Sequence, residues 1–200
     1  MDSRHIVLIP ENNEMPDTFT EVVNEISPAL GLKPRIIPWS GSLDEGVRAV
    51  ESYLDREEIR RVVLFAGGSG AAVALKISVN NPKRVEKLIV DSPLVVADKK
   101  QLQTAQKAVK FIPGFLFRKQ SKKEVLNQLD KAQEQQQPAF SGLDIDTLVI
   151  SGSAAAFDQS AVLKEQLTRV QSHVINGAKN LTYRTHGAET GAVLNNFLSV

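Results

Sequence analysis

The run Gly67-Gly68-Ser69-Gly70-Ala71 holds one hydroxyl between residues with almost no side chain, where the apolar segment Arg61 to Ala66 passes into a segment of helical composition. Such a turn is expected to force its central residue into a strained backbone conformation, so the residues two positions away must be small, and Gly67 and Ala71 are. The Ser69 oxygen then projects above the carboxyl ends of the strands, where open α/β sheets bind ligands, and the Gly70 amide at the helix start is an oxyanion donor. This is the geometry of acyl transfer. A phosphate-binding loop shares the order strand, glycines, helix. Neither Gly-x-Gly-x-x-Gly nor Gly-x-x-x-x-Gly-Lys-Ser/Thr can be drawn through residues 65–75, however, and no lysine follows at the required place.

Composition narrows the remaining chemistry. The chain has no cysteine, which removes disulfides, thiolate metal sites and cysteine nucleophiles. Its three histidines, His5, His173 and His186, show no metal-ligand spacing, so neither metal nor cofactor is expected. A formal net charge of +1 gives no reason to expect nucleic acid as a partner. The N-terminus lacks the basic and long apolar regions of a signal peptide, and the longest apolar run, Val62 to Leu75, is broken by glycines and too short for the roughly 20 residues of a membrane helix. A cytoplasmic protein with no transmembrane span, acting on a small molecule, is the expectation.

The elements that must position Ser69 follow a βα rhythm. Two hundred residues, 42% of them hydrophobic, suffice for one domain around a parallel sheet. Strands are predicted at His5 to Ile9, Arg35 to Trp39 (near an edge, because of Pro38), Arg61 to Ala66, Lys87 to Asp91, Asp146 to Ser151 and Asn180 to Thr185. Helices are predicted from Thr18 (shortened or kinked at Pro28 and ended by Gly31), at Leu43 to Leu54, after Ser69 up to Asn80-Asn81-Pro82, at Ala161 to Val174, and at Gly191 to Leu198. Between Ser92 and Asp144 the rhythm stops. Two charged helices, about 98–110 and 121–136, flank Phe111-Ile-Pro-Gly-Phe-Leu-Phe117.

Arg61 to Pro93 resembles the α/β-hydrolase superfamily, with turn, helix, Asn-Pro stop and the strand Val85-Glu-Lys-Leu-Ile-Val-Asp-Ser-Pro in order. Residues 143–152 resemble the strand leading to that family's catalytic acid, and Leu181 to Leu198 its terminal strand, histidine loop and helix. The resemblance implies a three-layer, mostly parallel sheet of about six strands in a single domain, 1–200, with a helical cap inserted at 93–142. His5 looks like the opening of the family's third strand, so two customary N-terminal strands have no room in this sequence.

By the same resemblance Ser69 is the nucleophile and His186, in Thr-His-Gly, the base; an imidazole must take the hydroxyl proton and hand it to the leaving group. The acid departs from the pattern. Ala155 stands where an aspartate is expected, leaving Asp158 as the first candidate and Asp91, at the end of the preceding strand, as the second. Each also suits a helix cap. The family's usual His-Gly after its third strand is replaced by Pro10-Glu11-Asn12-Asn13, and by register the Asn12 amide joins Gly70 as oxyanion donor. Glu11 is then unhelpful unless it faces solvent.

The insertion is basic: residues 98–134 hold nine Lys/Arg (99, 100, 107, 110, 118, 119, 122, 123 and 131) against four Asp/Glu (98, 124, 130 and 134). In the resembled family it is a lid, in which Phe111, Phe115, Leu116 and Phe117 would line an acyl pocket beneath a basic rim; a solvated outer face is the plainer use of such helices. Two functions follow. One is a serine hydrolase of a small carboxylic ester or thioester. The other is a hydrolase-fold protein without turnover that binds a ligand or partner, since an unoriented imidazole can cost about 10⁴-fold.

Overall fold

Six parallel strands form one sheet in the computed structural model, which describes residues 4–95, 140–156 and 159–200, with positions 107, 109–111, 113 and 126 between them. They are β1 (Arg4–Ile9), β2 (Leu32–Ile36), β3 (Val62–Gly67), β4 (Val85–Asp91), β5 (Thr147–Gly152) and β6 (Val170–Ile175). Their order, β2-β1-β3-β4-β5-β6, puts β3 and β4 in the middle, where both faces must be covered. β3 is buried at every position and reads as an unbroken apolar run, and β5 is equally buried with Thr147 and Ser151 as its polar members.

The helices are α1 (Thr20–Glu25), α2 (Leu43–Arg56), α3 (Gly70–Asn80), α4 (Ser160–Gln166) and α5 (Gly187–Leu198). Helix α2 begins with a capping box, Ser42 and Glu45 each bonding the other's backbone, and buries Leu43, Val47, Val50 and Leu54 as the spacing predicts. One face of the sheet packs on α1 and α5: Ile6, Leu8, Val63, Phe65, Ile89, Leu148 and Ile150 meet Phe19, Val22, Leu194 and Phe197. Asn195 ties these two helices together, accepting from Ser27 N–H at 3.0 Å and donating to Glu25 O at 2.7 Å. On the other side α2 meets α3, so helices cover both faces.

Several expected elements fall elsewhere. The helix from Thr18 is a 3-10 turn, Pro16–Phe19, running into α1, which stops at Glu25; Pro28 opens a separate 3-10 turn closed by Gly31 in the left-handed region. The second strand is Leu32–Ile36, not Arg35 to Trp39, and Pro34 is tolerated there because β2 is an edge. The segment Ala161 to Val174 is not one helix: α4 ends at Gln166, Leu167 turns extended, and Val170–Ile175 pairs with β5 as the last strand. Val170 and Val174 share a helical face only on paper, and Val174 is 57% exposed on the edge strand. The segment Asn180 to Thr185 is correspondingly not a strand but a turn with a 3-10 core, Thr182–Arg184.

Contacts divide the chain into two compact units, Met1–Val95 with Pro138–Val200, which carries the sheet, and Val96–Gln137. The two charged helices and Phe115, Leu116 and Phe117 fall almost wholly outside the described residues. Within the second unit 107, 109–111 and 126 are helical, and Phe111 is 87% exposed. Among the described residues no helix is long and apolar enough to cross a membrane.

Candidate active site

Ser69 sits directly after β3 and is the N-terminal flanking residue of α3. Its backbone is an ordinary right-handed one (φ −68°, ψ −20°), so the strain expected at Ser69 is not there. Gly68 carries it instead, at φ 53°. Without a Cβ, Gly68 makes the reversal at little steric cost and leaves Ser69 relaxed. A side chain there would also meet Glu11, whose Oε1 lies 3.0 Å from an ideal Cβ at Gly68. Gly70 is required for a different reason: a Cβ would stand 2.6 Å from both Ile9 O and Pro10 O, so only glycine lets α3 approach the end of β1 this closely.

That approach brings the loop after β1 onto the serine. The Asn12 N–H donates to Ser69 Oγ at 3.0 Å. The loop is held from several sides: Asn12 Nδ2 donates to Gly41 O (2.8 Å), Asn13 N–H to Trp39 O (3.1 Å), and Trp39 Nε1 to Pro10 O (2.8 Å). The side-chain oxygen of Asn12 is buried with no hydrogen-bond partner among the described residues. Left so, such an acceptor costs on the order of 1–3 kcal/mol.

His186 flanks the start of α5, after the 3-10 turn rather than after a strand. Its N–H donates to Thr182 O (2.8 Å), its ring Nδ1 lies 2.9 Å from Thr185 Oγ1, and it is half-buried. Among the described residues no hydrogen bond joins the His186 ring to Ser69 Oγ or to a carboxylate. His5 begins β1, and His173 stands exposed in the middle of β6 rather than at a helix end.

Asp91, the second candidate acid, is fully buried at the end of β4. Its oxygens accept from Ser92 Oγ (2.8 Å), Thr182 Oγ1 (2.8 Å) and Tyr183 N–H (3.1 Å). Burial raises its carboxyl above the usual range, and these bonds oppose that only in part. Asp158, the first candidate, lies outside the described residues. Ala155 stands in the turn after β5, its N–H on Gly152 O. Among the described residues no three His, Asp or Glu side chains stand close enough to share a metal ion.

Three side chains beside the turn, Glu14, Tyr183 and Arg184, carried no signal in the sequence, and they join Glu11 there. Glu14 Oε2 accepts from Tyr183 Oη (2.6 Å) and Oε1 from Arg184 Nε (2.5 Å), while Arg184 Nη2 donates to Glu11 Oε2 (3.0 Å). Glu11 therefore packs over Gly68 beside the turn with its side chain 31% exposed, and Arg184 offsets its charge. Burial would raise the Glu14 carboxyl, but the bonds from Arg184, Tyr183 and the Glu11 amide outweigh it and hold it below its ordinary value. Tyr183 is pushed well above the usual phenol range by burial and by Glu14. Its ring fills the space over Gly67, stacks on Phe19 (4.1 Å between centroids) and meets Phe65 edge-on.

No family model and no curated protein matches the sequence. Solved structures do match the fold. An alpha/beta hydrolase enzyme from a sediment metagenome of the Mar Chica lagoon, Morocco, superposes with a TM-score of 0.74 at 16% identity, over 99% of this chain and 91% of that one. The 2-hydroxy-6-oxo-6-phenylhexa-2,4-dienoate hydrolase of a Rhodococcus strain gives 0.72 at 13% identity (99% and 91%). A monoacylglycerol lipase from Paleococcus ferrophilus gives 0.68 at 14% (97% and 93%). At such identities the likeness is one of fold, and that fold is the α/β-hydrolase fold.

Proposed function

We propose that this chain, with its α/β-hydrolase fold, is a serine hydrolase of a small carboxylic ester or thioester. Ser69 Oγ attacks the acyl carbon while the His186 ring takes its proton; the amides of Asn12 and Gly70 hold the oxyanion; the imidazolium then protonates the departing alcohol or thiol. Water, activated by the same ring, cleaves the acyl-serine and releases the carboxylic acid and a free hydroxyl. Asp158 is assigned as the carboxylate that orients the ring, since the oxygens of Asp91 are already engaged by Ser92, Thr182 and Tyr183.

The observation that carries this reading is the Asn12 N–H at 3.0 Å from Ser69 Oγ. An oxyanion forms on the carbon bonded to Oγ, so an amide already directed at Oγ lies next to the place where that charge develops. Neighbours of the same fold described as hydrolases and a lipase support the reaction class. Asn12 Oδ1, buried and without a partner among the described residues, favours a substrate or ligand that brings a hydrogen-bond donor.

A second reading, ligand binding without turnover, draws on the His186 ring, whose Nδ1 meets the neutral Thr185 hydroxyl. A fluorophosphonate probe separates the two. Labelling of the native chain that vanishes in Ser69→Ala supports the hydrolase; no labelling of a chain shown by circular dichroism to be folded leaves the binding reading.

A further inference from the structure

The loop from Pro10 to Glu14 contains no glycine, yet it must hold one amide, that of Asn12, in a single direction. A carboxylate does this work. Glu14 folds back on its own turn, Oε2 accepting from Glu11 N–H at 2.9 Å while Glu14 N–H donates to Glu11 O at 3.0 Å, around Asn13 at φ 62°. The same two oxygens receive Tyr183 Oη and Arg184 Nε from a turn about 170 positions later. The Glu14 side chain is 5% exposed.

We infer that Glu14 is a positioning residue for the oxyanion site, clamping the loop after β1 to the Tyr183-Arg184 turn so that the Asn12 amide points at Ser69 Oγ. The inference rests on the serine-hydrolase reading for its catalytic consequence, and on geometry alone for the clamp. Three donors converge on two oxygens, a demand only an ionised carboxylate meets; a carboxamide of the same shape turns an N–H toward one of them. Tyr183 cannot drift to compensate, because its ring is packed between Phe19 and Gly67. Arg184, half-exposed and bonded to Glu11 as well, closes the clamp from outside.

The test compares the full-length wild type with Glu14→Gln, and with Arg184→Gln as a milder variant removing an outer donor. Two readouts are taken: exchange of the Asn12 amide proton by NMR, and kcat and KM on a chromogenic short-chain ester. The clamp predicts Asn12 exchange faster by about tenfold or more in Glu14→Gln with core amides unchanged. It also predicts kcat lower by about tenfold or more at nearly constant KM, with Arg184→Gln following in the same direction by less. Asn12 exchange at the wild-type rate overturns the inference. So does a general rise in exchange at all amides, or a fall in kcat with Asn12 undisturbed. If the wild type hydrolyses no ester and takes no fluorophosphonate, the hydrolase reading fails while the Asn12 exchange still decides whether Glu14 is the clamp.

Discussion

The carboxylate of Asp91 accepts the Thr182 hydroxyl at 2.8 Å, and this bond anchors the loop that carries His186 to the centre of the sheet. Thr182 Oγ1 lies 2.9 Å from Thr190 Oγ1, which in turn lies 2.8 Å from His186 O. Burial raises the Asp91 carboxyl above its ordinary range, and the bonds it accepts from Thr182, Tyr183 and Ser92 oppose that only in part.

Asp91 therefore has a defined pH signature. Its folded pKa is raised above the ordinary 3.8, so its contribution to stability is complete below that value and is lost as pH rises through the folded pKa. Urea midpoints of the wild type and Asp91→Asn, measured from pH 3 upward, should show the wild type losing ground against the variant as pH rises. A pH-independent difference contradicts a raised Asp91 pKa.

Glu14 has the opposite sign. Its folded pKa is held below the ordinary 4.5, so its contribution is present above that value and lost as pH falls through the depressed one. Wild type and Glu14→Gln should converge in stability on the acid side and diverge toward neutrality, in the same denaturation series.

Gly70→Ala should disturb the site more than its size suggests. The new methyl carbon meets Ile9 O and Pro10 O at 2.6 Å, which pushes α3 from the end of β1 and lengthens the Asn12 to Ser69 bond. A cost of about 1–3 kcal/mol in unfolding is expected, with fluorophosphonate labelling slowed well beyond what stability explains.

Trp39→Phe removes the donor to Pro10 O while keeping most of the apolar bulk between the loop and Gly46. A loss of roughly 1–2 kcal/mol is expected from the abandoned carbonyl, read by thermal or urea unfolding. An unchanged stability would mean that Pro10 O finds another donor.

The sequence was legible where burial is complete. β1, β3, β4 and β5 and the stripe of α2 announce themselves because an apolar run or a 3.6-residue period is what burial demands, and the turn at Ser69 followed from that frame. It misled at the edge. β6 is polar on its open face, so Val170 and Val174 matched a helical spacing as well as a strand, and only pairing with β5 decided between them.

Tertiary structure alone decided the rest. That Gly68, not Ser69, takes the left-handed backbone depends on how β3 meets α3; that Asp91 is buried under Thr182 and Tyr183 depends on a turn closing over it. The Glu14, Tyr183 and Arg184 cluster joins residues about 170 positions apart, each unremarkable in its own neighbourhood. Local sequence encodes period and burial, which fix elements; the pairing of distant polar groups is fixed only when those elements pack.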